Sequence, residues 1–171
     1  WQVALTTLMN ERAAIGGGFG QMDVSMAMSV VQDLEIDGQP ALSNAAVRAR
    51  IADWYVQEAG LKYTGYRSLT ALSRGALPGP ENSIGKLVGA PKMQAMASYL
   101  MDLLGTSGAV IDENLSTKAG IIQRAYMGAP GLRIAGGTDE IMANIIAERV
   151  LGLPQEPRLD KGIPFNEVPT G

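Results

Sequence analysis

At 171 residues, 46% hydrophobic and 18% charged, the chain is long enough for one domain around a single core and too apolar for disorder. A net charge of −3 without a basic stripe argues against a nucleic-acid partner. The absence of cysteine and histidine excludes disulfides, thiolate chemistry and imidazole catalysis, so any proton transfer falls to Asp, Glu, Lys or Tyr. No apolar run reaches the ~18 residues of a membrane span. No charged-then-apolar leader opens the chain, and a cytoplasmic placement is expected. The chain starts at Trp1, inside a helical pattern and without an initiator Met, and is read as a piece of a longer protein.

The first helical pattern runs from about Val3 to Leu34, with Val3, Leu5, Leu8, Met9 and Ile15 on one stripe and Met22, Met26 and Val30 continuing it. Gly16, Gly17, Gly18 and Gly20 interrupt its centre, each costing a helix about 1 kcal/mol against Ala. Close helix packing is the plainer reason for them; room for a bulky ligand is the functional one. The stretch "EIDGQPALSN" (35–44) is a turn, with Asp37-Gly38 and Pro40 as breakers. Ser43 is placed as N-cap of a second helix over 44–73, carrying Val47, Ile51, Trp54, Leu61, Tyr66 and Leu69.

A proline- and glycine-rich loop, 74–83, precedes a third helix over 82–104 with Ile84, Leu87, Val88, Met96, Leu100 and Leu103; Pro91 kinks it or starts it anew. Residues 105–116 read as irregular, and a short helix is expected over 115–127. The last helix runs from Asp139 to about Leu151, capped by Thr138, with Asp139 and Glu140 at the positive end of its dipole and Gly152 and Pro154 as stops. The tail from 155 to 171 is proline-rich and should be extended. No strand pattern competes, so the expected fold is all-α: an antiparallel up-and-down four-helix bundle over 1–154.

Spacing alone says little about chemistry. There is no metal constellation and no P-loop, and nine methionines read as core filling. Glu11-Arg12 reads as a solvated or paired couple, and the glycines before Thr138 are weak evidence for an anion site.

A resemblance adds to this reading. "AGGTDEIMANIIAERVLGLP" (135–154) resembles the C-terminal signature of the FAD-dependent acyl-CoA dehydrogenases, GGTxEIxxNIIAERVLGLP. "WQVALTTLMNERAAIGGG" (1–18) resembles the first C-terminal helix of that family, and "GPENSIGKLVGAPKMQAMASYLMDLLG" (79–105) resembles its actinobacterial branch. The similarity runs through essentially the whole chain in family order. It implies that the chain is the C-terminal helical domain, with the family's N-terminal helical and middle β domains absent from it.

The resemblance also implies the reaction: α,β-dehydrogenation of an acyl-CoA thioester of fatty-acid, sterol or polycyclic type. A desolvated carboxylate takes the α-proton while a hydride passes from the β-carbon to flavin N5. Many members place that carboxylate before the Gly-Thr of the signature, where this chain has Gly136. In isovaleryl- and long-chain-type members it is the Glu of an "ER" pair on the first helix, which matches Glu11-Arg12 here. Glu11 is thus the expected base and Arg12 an adjacent substrate-site residue. Gly136 and Gly137 are expected beside the substrate, because glycine lets the backbone approach closely, with Thr138, Asp139, Glu140 and Gly105 on the cofactor side. Capping alone accounts for Thr138 equally well. The implied partners are an acyl-CoA, an electron-transferring flavoprotein as acceptor, and further subunits of a homo- or hetero-oligomeric tetramer.

Two departures bear on the flavin. An Arg-x-x-Phe-Gly loop of many members is replaced by "LEIDGQPALSN" (34–44), and an FGGxG segment by "LGTSG" (104–108). Both weaken the expected cross-subunit flavin contacts. They motivate a second reading, in which the chain belongs to a supporting or assembly subunit of a mixed oligomer that holds no flavin of its own. A plain helical bundle without redox role is the third.

Overall fold

A computed structural model describes residues 3–4, 6–8, 10–11, 22–76, 79–112, 117–158, 160 and 162–168. The described residues between 3 and 11 are helical. Helix α1 (Val24–Val31) starts where the Asp23 side chain accepts from the Met26 N–H at 2.8 Å, an acidic cap at the positive end of the helix. It buries Val24, Ala27, Val30 and Val31, one face at helical spacing, and stops short of the Leu34 expected from the sequence.

The turn expected at 35–44 is a miniature hairpin, correcting the expectation of no strand. Strands β1 (Glu35–Ile36) and β2 (Gln39–Pro40) pair antiparallel. Asp37 and Gly38 join them with φ of +52° and +72°, the two-residue connection whose twist suits a hairpin. Six residues of weak alternation give too little pattern to reveal it.

Helix α2 (Ala45–Ser73) is capped by Asn44, whose Oδ1 accepts from the Ala46 N–H at 2.9 Å and the Val47 N–H at 3.4 Å. The Ser43 hydroxyl instead donates to the Pro40 carbonyl in the preceding turn, so the cap lies one residue later than expected. Helix α3 (Asn82–Leu104) runs unbroken through Pro91. Helix α4 (Thr117–Ile134) outruns the expected 115–127 and carries Pro130 inside it. Gly128, Pro130 and Gly131 look like breakers, but Ala129 is fully buried, and packing along α3 offsets the local penalty. Helix α5 (Asp139–Arg149) starts on the Thr138 cap as expected.

Pairwise contacts fix the directions. Along α2, Trp54, Glu58 and Leu61 meet Tyr99, Lys92 and Gly89 of α3, so the two helices are antiparallel. Lys86 of α3 reaches Arg133 near the end of α4, whereas Gln123 of α4 reaches Gly108 and Val110 just beyond α3, so this pair is antiparallel too. Helix α3 is the central element, packing against α1, α2, α4 and α5. Its buried and part-buried positions Ser83, Lys86, Ala90, Met93, Ala97 and Leu100 alternate by three and four, the seam of a helix enclosed by neighbours.

The main core joins α1, α2, α3 and α4 around Trp54, only 1% exposed, whose ring meets Tyr99 edge to face at 5.5 Å. Burial of an apolar side chain of this size contributes about 2–3 kcal/mol. Polar clips tie the periphery: Glu58 accepts from both Lys92 and the Val24 N–H, each at 3.0 Å, and Lys118 donates to the Ser29 carbonyl at 2.6 Å. Tyr66 and Leu69, expected on the core stripe of α2, are exposed, because the half-buried face of the helix runs on through Leu61, Thr64, Ser68 and Ala71 instead. No described helix is long and apolar enough to cross a membrane.

Candidate functional site

The sequence between α4 and α5 must redirect the chain within four residues, Ala135 to Thr138. Gly136 and Gly137 make this possible with φ of +68° and +113°; the second lies beyond even the left-handed region that L side chains tolerate. The Gly137 N–H donates to the Ile134 carbonyl at 3.2 Å, satisfying one of the carbonyls left over at the end of α4. Gly136 is buried, while Gly137 and Thr138 are half-buried.

Thr138 then starts α5. Its hydroxyl oxygen accepts from the Ile141 N–H at 3.4 Å, and its carbonyl accepts from the Met142 N–H at 3.0 Å. Met142, fully buried, anchors α5, which packs against α3. A hydrogen bond from Thr138, then Glu140's own backbone N–H and the charge of Arg133, holds the exposed Glu140 carboxyl below the usual glutamate range.

Two side chains that sequence reasoning passed over brace this corner. Lys86 is 0% exposed and sends its ammonium to the carbonyls of Gly137 and Arg133, the latter at 3.4 Å. A buried ammonium is costly unless hydrogen-bonded, and carbonyls at the negative end of α4 suit it. Arg133 spans the turn from outside: its Nε donates to Asp139 Oδ2 at 2.7 Å and its Nη1 to Gln94 Oε1 at 3.1 Å. Asp139 Oδ1 is buried without a hydrogen-bond partner among the described residues. The sequence did carry a signal for Lys86. Extending the Met93, Ala97, Leu100 spacing back along α3 reaches Ala90 and then Lys86, a core position.

The expected site residues divide into three groups. Gly136, Gly137, Thr138, Asp139 and Glu140 form one corner. Gly105 does not share it: it closes α3 with φ of +53°, nineteen residues beyond Lys86 and so about 28 Å along the helix. Glu11 is half-buried in helical backbone, and Arg12 lies outside the described residues. Among the described residues no cluster of acidic side chains is arranged to hold a metal.

The corner offers a backbone stripped of Cβ atoms beside a half-buried hydroxyl and a helix start. Asp139 and Glu140 stand at that start, so it disfavours a diphosphate, which would meet two carboxylates. It suits a neutral carbonyl or the edge of a planar ring.

Comparison with known proteins agrees with this architecture. Residues 1–151 match the family model for the acyl-CoA dehydrogenase C-terminal domain. The chain is 31% identical over 156 residues to acyl-CoA dehydrogenase FadE34 of Mycobacterium tuberculosis, covering 91% of this chain and 20% of that protein. Among solved structures, the ChsE4-ChsE5 complex from Mycobacterium tuberculosis superposes with a TM-score of 0.63 at 22% identity, covering 78% of this chain and 35% of that one. Butyryl-CoA dehydrogenase from Megasphaera elsdenii gives 0.69 at 17% identity, covering 88% and 38%. The chain thus spans a fifth to about two fifths of these proteins. By its fold, and by a family match that takes in both the first helical residues and the glycine turn, the chain belongs to the acyl-CoA dehydrogenase family and corresponds to its C-terminal domain.

Proposed function

We propose that this chain supplies the C-terminal helical part of an FAD-dependent acyl-CoA dehydrogenase that oxidises the α,β bond of an acyl-CoA thioester. The observation that carries the reading is the Gly136-Gly137 turn, buried at Gly136, braced by Lys86 and opening onto the capped start of α5. A flavin, when bound, supplies the acceptor for the hydride that leaves the β-carbon. The chain's own residues do the rest. Glu11 receives the α-proton on its carboxylate, the role that the "ER" pair implies once position 136 is glycine. Arg12, its neighbour in sequence, is the proposed substrate-site residue beside it. Gly136 and Gly137 admit the thioester carbonyl without a Cβ clash, and Thr138 offers its backbone N–H at the helix start to the ring edge. Asp139 serves chiefly to hold Arg133 across the turn. An electron-transferring flavoprotein is the proposed acceptor, and a tetramer the proposed assembly.

The test is the visible spectrum of the whole protein containing this chain, recorded during titration with a panel of acyl-CoAs. Wild type is expected to be yellow and to bleach with one of them, while Glu11→Gln keeps colour and fold but loses bleaching by about 1,000-fold or more, as for removal of an essential base. A Glu11→Gln protein that still bleaches at the wild-type rate would sink the base assignment.

A supporting-subunit reading is favoured by one specific feature. The 35–40 segment, where the family resemblance calls for an Arg-x-x-Phe-Gly loop, is closed on itself as a hairpin and offers neither side chain. The same spectrum decides: a colourless protein that gains flavin only with a co-expressed partner selects this second reading.

A further inference from the structure

We infer that Lys86 is the positioning residue of the catalytic turn, setting the peptide between Gly137 and Thr138 from inside the fold. Its reach is fixed by α3, which places it at a core position between Ser83 and Ala90. Its ammonium lies under the corner and takes two carbonyls, one from the last turn of α4 and one from Gly137. It therefore links the end of one helix to the residue before the cap of the next.

Peptide geometry carries the consequence. In a trans peptide the carbonyl and the following N–H point in opposite directions, and the chain contains no cis bond among its described residues. With the Gly137 carbonyl drawn inward to Lys86, the Thr138 N–H faces the opposite side of the turn, away from α3. The Gly137 N–H is already committed to Ile134. Lys86 thus selects which donor the turn presents outward. Gly137, at φ +113°, has conformational freedom that the backbone alone does not restrict, so an external hold is needed to keep a single orientation. Arg133 and Gln94 hold the outer side of the corner through hydrogen bonds to Asp139 and to each other, whereas the Gly137 carbonyl accepts from Lys86.

The link from turn to turnover rests on the proposed dehydrogenase reading; the link from Lys86 to the turn does not. The experiment separates them. Lys86→Met replaces the ammonium by an apolar side chain of similar length that a buried site accepts, and Lys86→Gln keeps a shorter donor should the first variant fold poorly. Amide hydrogen exchange is followed at Gly137 and Thr138, with Ala27 and Trp54 as core controls. Steady-state dehydrogenation is followed in the whole protein. Loss of a charge-assisted hydrogen bond is expected to raise exchange at the turn by about 10-fold or more while the core amides stay unchanged. In the same variant kcat should fall by about the same factor with KM nearly constant, and Lys86→Gln should recover part of it. Unchanged exchange at the turn, or exchange that rises equally in the core, overturns the positioning role. A wild-type protein that oxidises no acyl-CoA defeats the dehydrogenase reading, while the exchange data still decide the role of Lys86.

Discussion

Two turns in this molecule use the same local device and are treated in opposite ways by the rest of the fold. At 37–38 an Asp-Gly pair takes φ of +52° and +72° between two short strands; at 136–137 a Gly-Gly pair takes +68° and +113° between two helices. The first is exposed, and a Cβ built on Gly38 meets nothing within 4 Å. The second is buried at Gly136 and tied to α3 through Lys86, with Arg133 reaching across it to Gln94 and Asp139. A positive-φ pair therefore says that the chain turns. Only its supports say whether the turn also has to be aimed.

The sharpest way to break this contrast is to add one methyl group to each turn. Gly137→Ala forces an L residue to φ +113° and should cost about 2–3 kcal/mol, together with most of the dehydrogenation rate of the whole protein. Gly38→Ala, in open space and nearer the left-handed region, should cost about 1 kcal/mol and leave turnover unchanged. Denaturant midpoints read alongside kcat/KM test both. Equal losses of activity in the two variants would mean that the 136–137 turn is no more than a connector.

Thr138→Ala sharpens the comparison from the helix side. Removing the hydroxyl that caps α5 should cost about 1 kcal/mol, less than the glycine substitution at 137. If Thr138 only caps, Thr138→Ser restores both stability and flavin retention. If the methyl group also packs at the ring edge, Ser restores stability alone. Parallel melting curves and flavin dissociation measurements distinguish the two.

How much of this was legible in the sequence follows the same division. The turn, the Thr138 cap and the acidic first turn of α5 could be read because each is a local rule: glycine for positive φ, threonine for a cap, carboxylates at a helix start. The all-α architecture followed from helical periodicity, and the family from the signature at 135–154. What escaped was tertiary. Ser43 and Asn44 are both good caps, and only the hydrogen bond from Ser43 to Pro40 decides between them. Gly128, Pro130 and Gly131 look like a helix end until α3 is there to pack against. Lys86 carries no local mark, because nothing in "SIGKLVG" announces that carbonyls of residues 133 and 137 will receive its ammonium. Its place in the three-four spacing of α3 was the one available clue.

The smallest expected effect tests the electrostatics of the same corner. Glu140 is held below the ordinary glutamate pKa first by its hydrogen bond from Thr138 and next by its own backbone N–H. A carboxyl whose folded pKa is depressed adds stability above its unfolded pKa, and that contribution disappears as pH falls through the folded value. The stability difference between wild type and Glu140→Gln should therefore be present at neutral pH and shrink as the solution is acidified below the glutamate range. Full solvent exposure keeps the effect small, and added salt should screen it further. Because the Thr138 hydroxyl is the largest cause, Thr138→Ala should remove most of that pH dependence, whereas a substitution at Gly38 should leave it intact. A difference that persists unchanged into acid would mean that Glu140 contributes packing rather than charge. The contrast between the two turns would then rest on Lys86 and the glycines alone.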